Sequence, residues 1–256
     1  MSRSARTVLI TGAARRIGRV LALDFASRGW NVGVHVRTPD ADSRSLAEQI
    51  RETGSAAAIL TADLADAEAA QRLVPACTEA LGAPCCLINS ASLFRYDEIG
   101  TLTVAQWDEQ FAVNLRAPVF LAKAFAEGSA PGTPGNIINI IDQRVWKPTP
   151  NFFSYAASKS ALWAVTRTLA QALAPAIRVN AIAPGPVLAS AHQTAEEFDR
   201  QRKAVLLGRG TSPEEIAQAV QFILDAPAMT GQMLALDGGQ HLAWRTPDVD
   251  WDRGET

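Results

Sequence analysis

Tyr155 and Lys159 stand four residues apart in Tyr155-Ala-Ala-Ser-Lys159, inside a stretch whose spacing predicts a helix. At that separation two side chains share one helix face and can act on a common point. A free phenol titrates near pH ~10, which makes it a poor proton donor or acceptor at neutral pH. A neighbouring ammonium stabilises the phenolate and can also hold a nicotinamide ribose, so the pair suits acid/base chemistry beside a bound nucleotide. Alone, a Tyr-x-x-x-Lys pair is often a surface pair; its weight comes from what accompanies it.

A phosphate turn accompanies it. The first apolar run leads into Thr11-Gly-Ala-Ala-Arg-Arg-Ile-Gly18 and then directly into an amphipathic stretch. Gly12 permits the tight turn, Gly18 permits close helix-to-strand packing, and the free amides of the helix start can hold a pyrophosphate. Arg16 stands where the usual pattern has its middle glycine and suits a phosphate or substrate contact. Dinucleotide folds specific for NAD place a carboxylate at the end of the second strand. Here Trp30 to Val36 ends in Arg37-Thr38, a guanidinium and a hydroxyl that suit a 2′-phosphate, so NADPH/NADP+ is the expected cofactor. Asp63, after the third strand, suits either the adenine amino group or the cap of the next helix.

These residues need a scaffold that carries them to one place. Short, nearly unbroken apolar runs recur at Val8 to Ile10, Val32 to Val36, Ala56 to Leu60, Cys85 to Ile88, Ile137 to Ile141, Val179 to Ile182 and Met233 to Leu236. Such runs suit strands covered on both faces, as in a parallel sheet. Between them lie stretches of helical spacing: the stripe Ile17, Val20, Leu21, Phe25, the long segments Leu102 to Phe125 and Tyr155 to Leu173, and a capping box with proline in the first turn at Ser212-Pro-Glu-Glu215. The alternation predicts one α/β domain over residues 1–256, a Rossmann-like doubly wound parallel sheet of about seven strands with helices on both faces. Ligands then collect beyond the carboxyl ends of the strands, and every motif above falls at such an end.

The sequence resembles the short-chain dehydrogenase/reductase family along nearly its whole length. The segments that carry the resemblance are Thr11 to Gly18, Asn89-Ser-Ala91, Asn114, Tyr155-Ala-Ala-Ser-Lys159, Arg178-Val-Asn180 and Pro184-Gly-Pro186. It implies that Tyr155 is the acid/base, that Lys159 positions the ribose and lowers the tyrosine pKa, and that Asn114 supports a water-mediated proton path. It also implies cofactor contacts along Gly12, Arg15, Arg16, Ile17 and Gly18, at His35, Arg37 and Thr38, at Asp63 and Leu64, at Asn89, Ser90 and Ala91, and at Pro184, Gly185 and Val187.

One departure is informative: the family has a serine 13 residues before the tyrosine, and here that position is Asp142. An ionised carboxylate only accepts hydrogen bonds, so it suits a substrate that presents N–H groups, such as an aminopyrimidine ring. Pteridine reductases and dihydromonapterin reductases resemble the chain at this point, with aspartate in the serine position, Arg-Arg or Lys-Arg in the first turn, and a stretch similar to Asn89-Ser-Ala-Ser-Leu-Phe94. The resemblance implies that Phe94 stacks on a pterin, that Ser92 and Arg16 touch substrate or cofactor, and that hydride passes to a C=N bond while Tyr155, assisted by Asp142, protonates the adjacent nitrogen. Two other functions are compatible with the same residues. One is a reductase of carbonyls or 3-oxoacyl thioesters. The other is a non-catalytic NADP(H)-binding sensor or scaffold, which the retained Tyr/Lys pair disfavours.

The bulk of the sequence bounds the partners. A formal net charge of −2, with no long run of like charge, gives no footprint for nucleic acid or an electrostatic membrane anchor. The N-terminal apolar segment is too short for a signal peptide or a spanning helix, and Cys77, Cys85 and Cys86 lack disulfide or zinc spacing, so no metal and a cytoplasmic setting are expected. The resemblance implies that residues 188–210 form a substrate lid, in which the spacing predicts a helical patch around Phe198 to Leu207, and 240–256, with Trp244 and Trp251, are expected to form a tail past the last strand. The long apolar helices, including Phe120 and Trp163, imply by resemblance a homodimer or homotetramer.

Overall fold

The computed structural model describes residues 6–129, 132–190 and 193–244; most of the expected tail, residues 245–256, lies outside the described residues. Seven strands, β1 (Thr7–Ile10), β2 (Asn31–Val36), β3 (Ala57–Thr61), β4 (Cys86–Asn89), β5 (Gly135–Ile140), β6 (Ile177–Pro184) and β7 (Met233–Leu236), pair in parallel in the order β3-β2-β1-β4-β5-β6-β7. Strand order reverses between β1 and β4, which opens a crevice at their carboxyl ends.

Alternation along each strand divides the core into two layers. Val8, Ile10, Val32, Val34, Ile88 and Ile182 face one way, packing under Leu21 and Phe25 of α1 (Arg16–Ser27), Leu46 and Ile50 of α2 (Ala41–Glu52) and Ile216, Val220 and Ile223 of α8 (Pro213–Asp225). Leu9, Leu87, Ile137 and Val179 face the other way. They meet Leu73, Val74 and Cys77 of α3 (Ala67–Leu81), Leu121 and Phe125 of α5 (Ala117–Glu127) and Ala170 of α6 (Phe153–Leu173). Both faces are covered, which is why the strands read as continuous apolar runs rather than as alternation. Burial pushes the Cys77 thiol up to about 12, so it behaves as one more apolar side chain.

Two sequence expectations are corrected. Leu102 to Phe125 is not one helix: α4 spans Val104–Phe111, a π-helical turn follows at Ala112–Arg116, and α5 then begins. Pro118 has no N–H to give the Asn114 carbonyl four residues back, so the ladder widens there. The helix in the lid segment, α7, spans Ala195–Lys203 rather than Phe198 to Leu207, because the Thr194/Glu197 capping box starts it earlier. The capping box at Ser212 and Glu215 opens α8 as expected. Among the described residues no helix is long and apolar enough to cross a membrane.

Candidate active site

A cavity of about 690 Å³ opens at the carboxyl ends of the strands and holds most of the residues singled out above. One end is the glycine turn. Gly12 has φ +64°, and a Cβ there would sit 2.9 Å from the Ala91 Cα; a Cβ on Gly18 would run into the Gly12 carbonyl. Thr11 Oγ1 accepts the Ser90 and Ala91 N–H groups, each at 3.0 Å, stitching this turn to the exit of β4.

His35 holds the same turn from β2. The Gly12 N–H donates to His35 Nδ1 at 3.1 Å, and His35 Nε2 lies 3.1 Å from the Ala62 carbonyl. An amide that only donates and a carbonyl that only accepts fix the neutral tautomer with its proton on Nε2. Burial agrees, lowering the imidazole pKa against the opposing pull of the Ala62 carbonyl and Asp63.

The two turn arginines diverge. Arg15 pairs with Asp40 and Asp42, each at 2.6 Å, whereas Arg16, at φ +54°, donates to the Leu188 and Ala189 carbonyls at 3.0 and 2.6 Å. Ile17, Arg37, Asp63, Leu64, Pro184, Gly185 and Val187 line the cavity with them; Thr38 and Asn89 do not. Asn89 instead donates to Asn139 Oδ1 at 2.8 Å. Asp63 is not the cap of α3: its carboxylate accepts the Ala65 N–H in a local turn, and Asp66 caps the helix through Glu68 and Ala69.

The other end of the cavity holds Asp142, Tyr155 and Lys159. The Tyr155 hydroxyl donates to Asp142 Oδ2 at 2.9 Å, the Arg144 N–H donates to Asp142 Oδ1 at 2.8 Å, and Lys159 Nζ donates to the Ile140 carbonyl at 2.9 Å. Burial raises the Asp142 pKa, with the Arg144 N–H as the main opposing influence. The Tyr155 phenol is pushed well above its ordinary value, by burial first and the Asp142 carboxylate next. The Lys159 ammonium is turned to a backbone carbonyl, 5.8 Å from the centroid of the Tyr155 ring.

Burial lowers the Lys159 pKa to about 8 from 10.5, with Asp142 pulling the other way. Between those values the folded chain binds fewer protons here than the unfolded chain, so this group's contribution to stability rises with pH. Denaturation across that range should show the rise in wild type and not in Lys159→Met; parallel curves would mean that Lys159 does not titrate there.

Phe94 lies against this pair. Its ring meets the Tyr155 ring edge-on at 4.7 Å and 83°, and stacks on Phe152 at 4.2 Å and 9°. Asn114, in the π-helical turn, is buried behind the cavity wall. Its amide takes the Leu93 N–H at 2.8 Å and the Ser92 hydroxyl at 3.3 Å, and gives to the Leu93 carbonyl, Gln110 and Ser158. Asp97, from the same loop as Phe94, supplies the cap that α6 lacks locally. The Ser154 N–H donates to its Oδ1 at 3.1 Å, and the Ser154 hydroxyl bonds its other oxygen. Sequence reading missed Asp97, Phe152, Gln143 and Arg144, none of which sits in a local pattern that marks it.

Comparison with known proteins fits this geometry. Residues 12–241 match the family model described as enoyl-(acyl carrier protein) reductase. Among curated relatives, the short-chain dehydrogenase/reductase eriH of Hericium erinaceus is 33% identical, over 91% of this chain and 96% of its own. The 3-oxoacyl-[acyl-carrier-protein] reductase FabG of Pseudomonas aeruginosa is 30% identical, over 95% of this chain and 100% of its own. Among solved structures, FolM alternative dihydrofolate reductase 1 from Brucella canis, complexed with NADP, is 46% identical with a TM-score of 0.93, covering 96% of this chain and 98% of that one.

Proposed function

The chain belongs to the short-chain dehydrogenase/reductase family, and from that premise we propose that it is an NADPH-dependent reductase of the C=N bond of a pterin-type substrate. The observation that carries this reading is the Asp142 carboxylate bonded to the Tyr155 hydroxyl at 2.9 Å on the cavity wall. It puts an acceptor where a carbonyl reductase of this family has a hydroxyl. The FolM relative, a dihydrofolate reductase by name and complexed with NADP, supports both substrate class and cofactor.

The residues present fit the cofactor. The glycine turn leaves the room that a Cβ at Gly12 or Gly18 would fill, and helix-start amides suit a pyrophosphate. Arg37, at the end of β2, lines the cavity and suits a 2′-phosphate. When bound, NADPH supplies the hydride. Tyr155 and Lys159 hold the ribose. Asp142 accepts a substrate N–H, and its raised pKa lets it share a proton with Tyr155, which protonates the ring nitrogen next to the reduced carbon. Phe94 offers a ring to the substrate face, Arg16 and Ser92 take polar contacts, and Asn114 braces the loop that carries Ser92. Residues 188–210 act as the lid, with Ser190, Gln193, Phe198 and Gln201 on the cavity wall. By family resemblance the long helices α5 and α6, with Phe120 and Trp163, pair between subunits in a homodimer or homotetramer.

The test is a substrate panel. Purified protein should oxidise NADPH with dihydrobiopterin, dihydromonapterin or dihydrofolate and not with simple ketones. The full-length likeness to a 3-oxoacyl reductase favours the second reading, and turnover of 3-oxoacyl thioesters with none of the pterins would install it instead.

A further inference from the structure

Two glutamines on the cavity wall carry buried carbonyl oxygens with no hydrogen-bond partner. Gln143, 5% exposed, opens the 3-10 turn Gln143–Val145 directly after Asp142, and Gln240 opens the 3-10 turn Gln240–Leu242 after β7. Both residues line the cavity. The two turns pack together: Lys147 Nζ donates to the backbone carbonyl of Gln240 at 3.4 Å, and the Trp146 and His241 rings lie 4.9 Å apart. The other orphaned oxygens among the described residues, on Asn89 and Asn136, are not on the cavity wall.

A buried acceptor without a donor is costly, and folded proteins leave few of them. A ligand N–H removes that cost once the amide turns its oxygen toward the cavity that the residue lines, and this is how a polar site selects against an analogue that lacks the donor. Asp142 is on the same wall, and its oxygens already face donors from Tyr155 and Arg144. The wall is thus rich in acceptors, which a lone ketone oxygen does nothing to satisfy. A ring bearing amino and ring N–H groups supplies what is missing.

We propose that Gln143, with Gln240 beside it, is a specificity-determining residue that accepts hydrogen bonds from the N–H groups of a heterocyclic substrate. The inference rests on the pterin reading of the cavity and extends it from Asp142 to the adjoining turns.

The experiment measures the Kd of 2,4-diaminopteridine by calorimetry in the presence of NADP+, together with the unliganded melting temperature and the Kd of NADP+, for wild type, Gln143→Met and Gln143→Glu. Gln143→Met should weaken diaminopteridine by about tenfold or more. Its melting temperature should hold or rise, because the variant removes an unpaired polar atom, and its NADP+ affinity should be unchanged. Gln143→Glu, which keeps an acceptor, should retain most of the binding.

Unaltered diaminopteridine affinity in Gln143→Met would overturn the inference, even with wild type reducing dihydropterins as proposed above. A joint fall in melting temperature and NADP+ affinity would make Gln143 structural and overturn it too, as would wild type that does not bind diaminopteridine. Binding that depends on Gln143, in a protein that reduces no dihydropterin, would uphold the inference while the functional reading fails.

Discussion

Tyr155→Phe should bind NADPH within a few-fold of wild type, because Lys159 still holds the ribose, and lose about 100- to 10,000-fold in kcat on every substrate, the span of general acid/base contributions. The change removes one oxygen. The ring keeps its place against Phe94, and α6 keeps its cap from Asp97, so neither fold nor pocket shape supplies the loss. What goes is the hydroxyl that donates to Asp142. Single-turnover measurements with saturating NADPH separate this from a binding defect, and a variant retaining more than about a tenth of wild-type kcat would remove Tyr155 from the proton path.

Asp142→Ser should be selective. We expect about a 100-fold fall in kcat/KM for dihydropterins, the scale on which a site built around a substrate hydrogen bond rejects the wrong partner or suffers its loss. Carbonyl substrates should hold steady or gain. The turn itself should survive, since Asp142 caps it through the Arg144 N–H and serine is an equally good cap. A serine also restores the donor that a substrate carbonyl oxygen needs. Equal losses on ketones and pterins would mean that the carboxylate orients Tyr155 rather than reading the substrate.

Much of the scaffold was legible because its signals are local. Val8, Leu9 and Ile10 read as one apolar run since both faces are covered, and the Ser212/Glu215 box announces α8 within four residues. The glycine turn and the Tyr155/Lys159 spacing are likewise short-range patterns that land on one cavity. What escaped depends on contacts across the chain. Asp97 reaches Ser154 over 57 residues, and the Phe94–Phe152 stack exists only once two loops meet. The phenol's raised pKa depends on how deeply it is buried and how closely the carboxylate approaches, and neither is written in the spacing of Tyr155 and Lys159. Pro118 could have signalled the π-helical turn, but apolar periodicity runs straight through it.

Asp97 bears on any attempt to redirect this scaffold. The helix that carries Tyr155 begins on an acceptor lent by the loop that carries Phe94, so Asp97 ties ring and hydroxyl together. Loop grafts intended to change substrate range must bring a carboxylate at position 97 with them, or give Ser154 a new one. A graft that omits it alters the pocket wall and unsettles the Tyr155 hydroxyl in the same stroke.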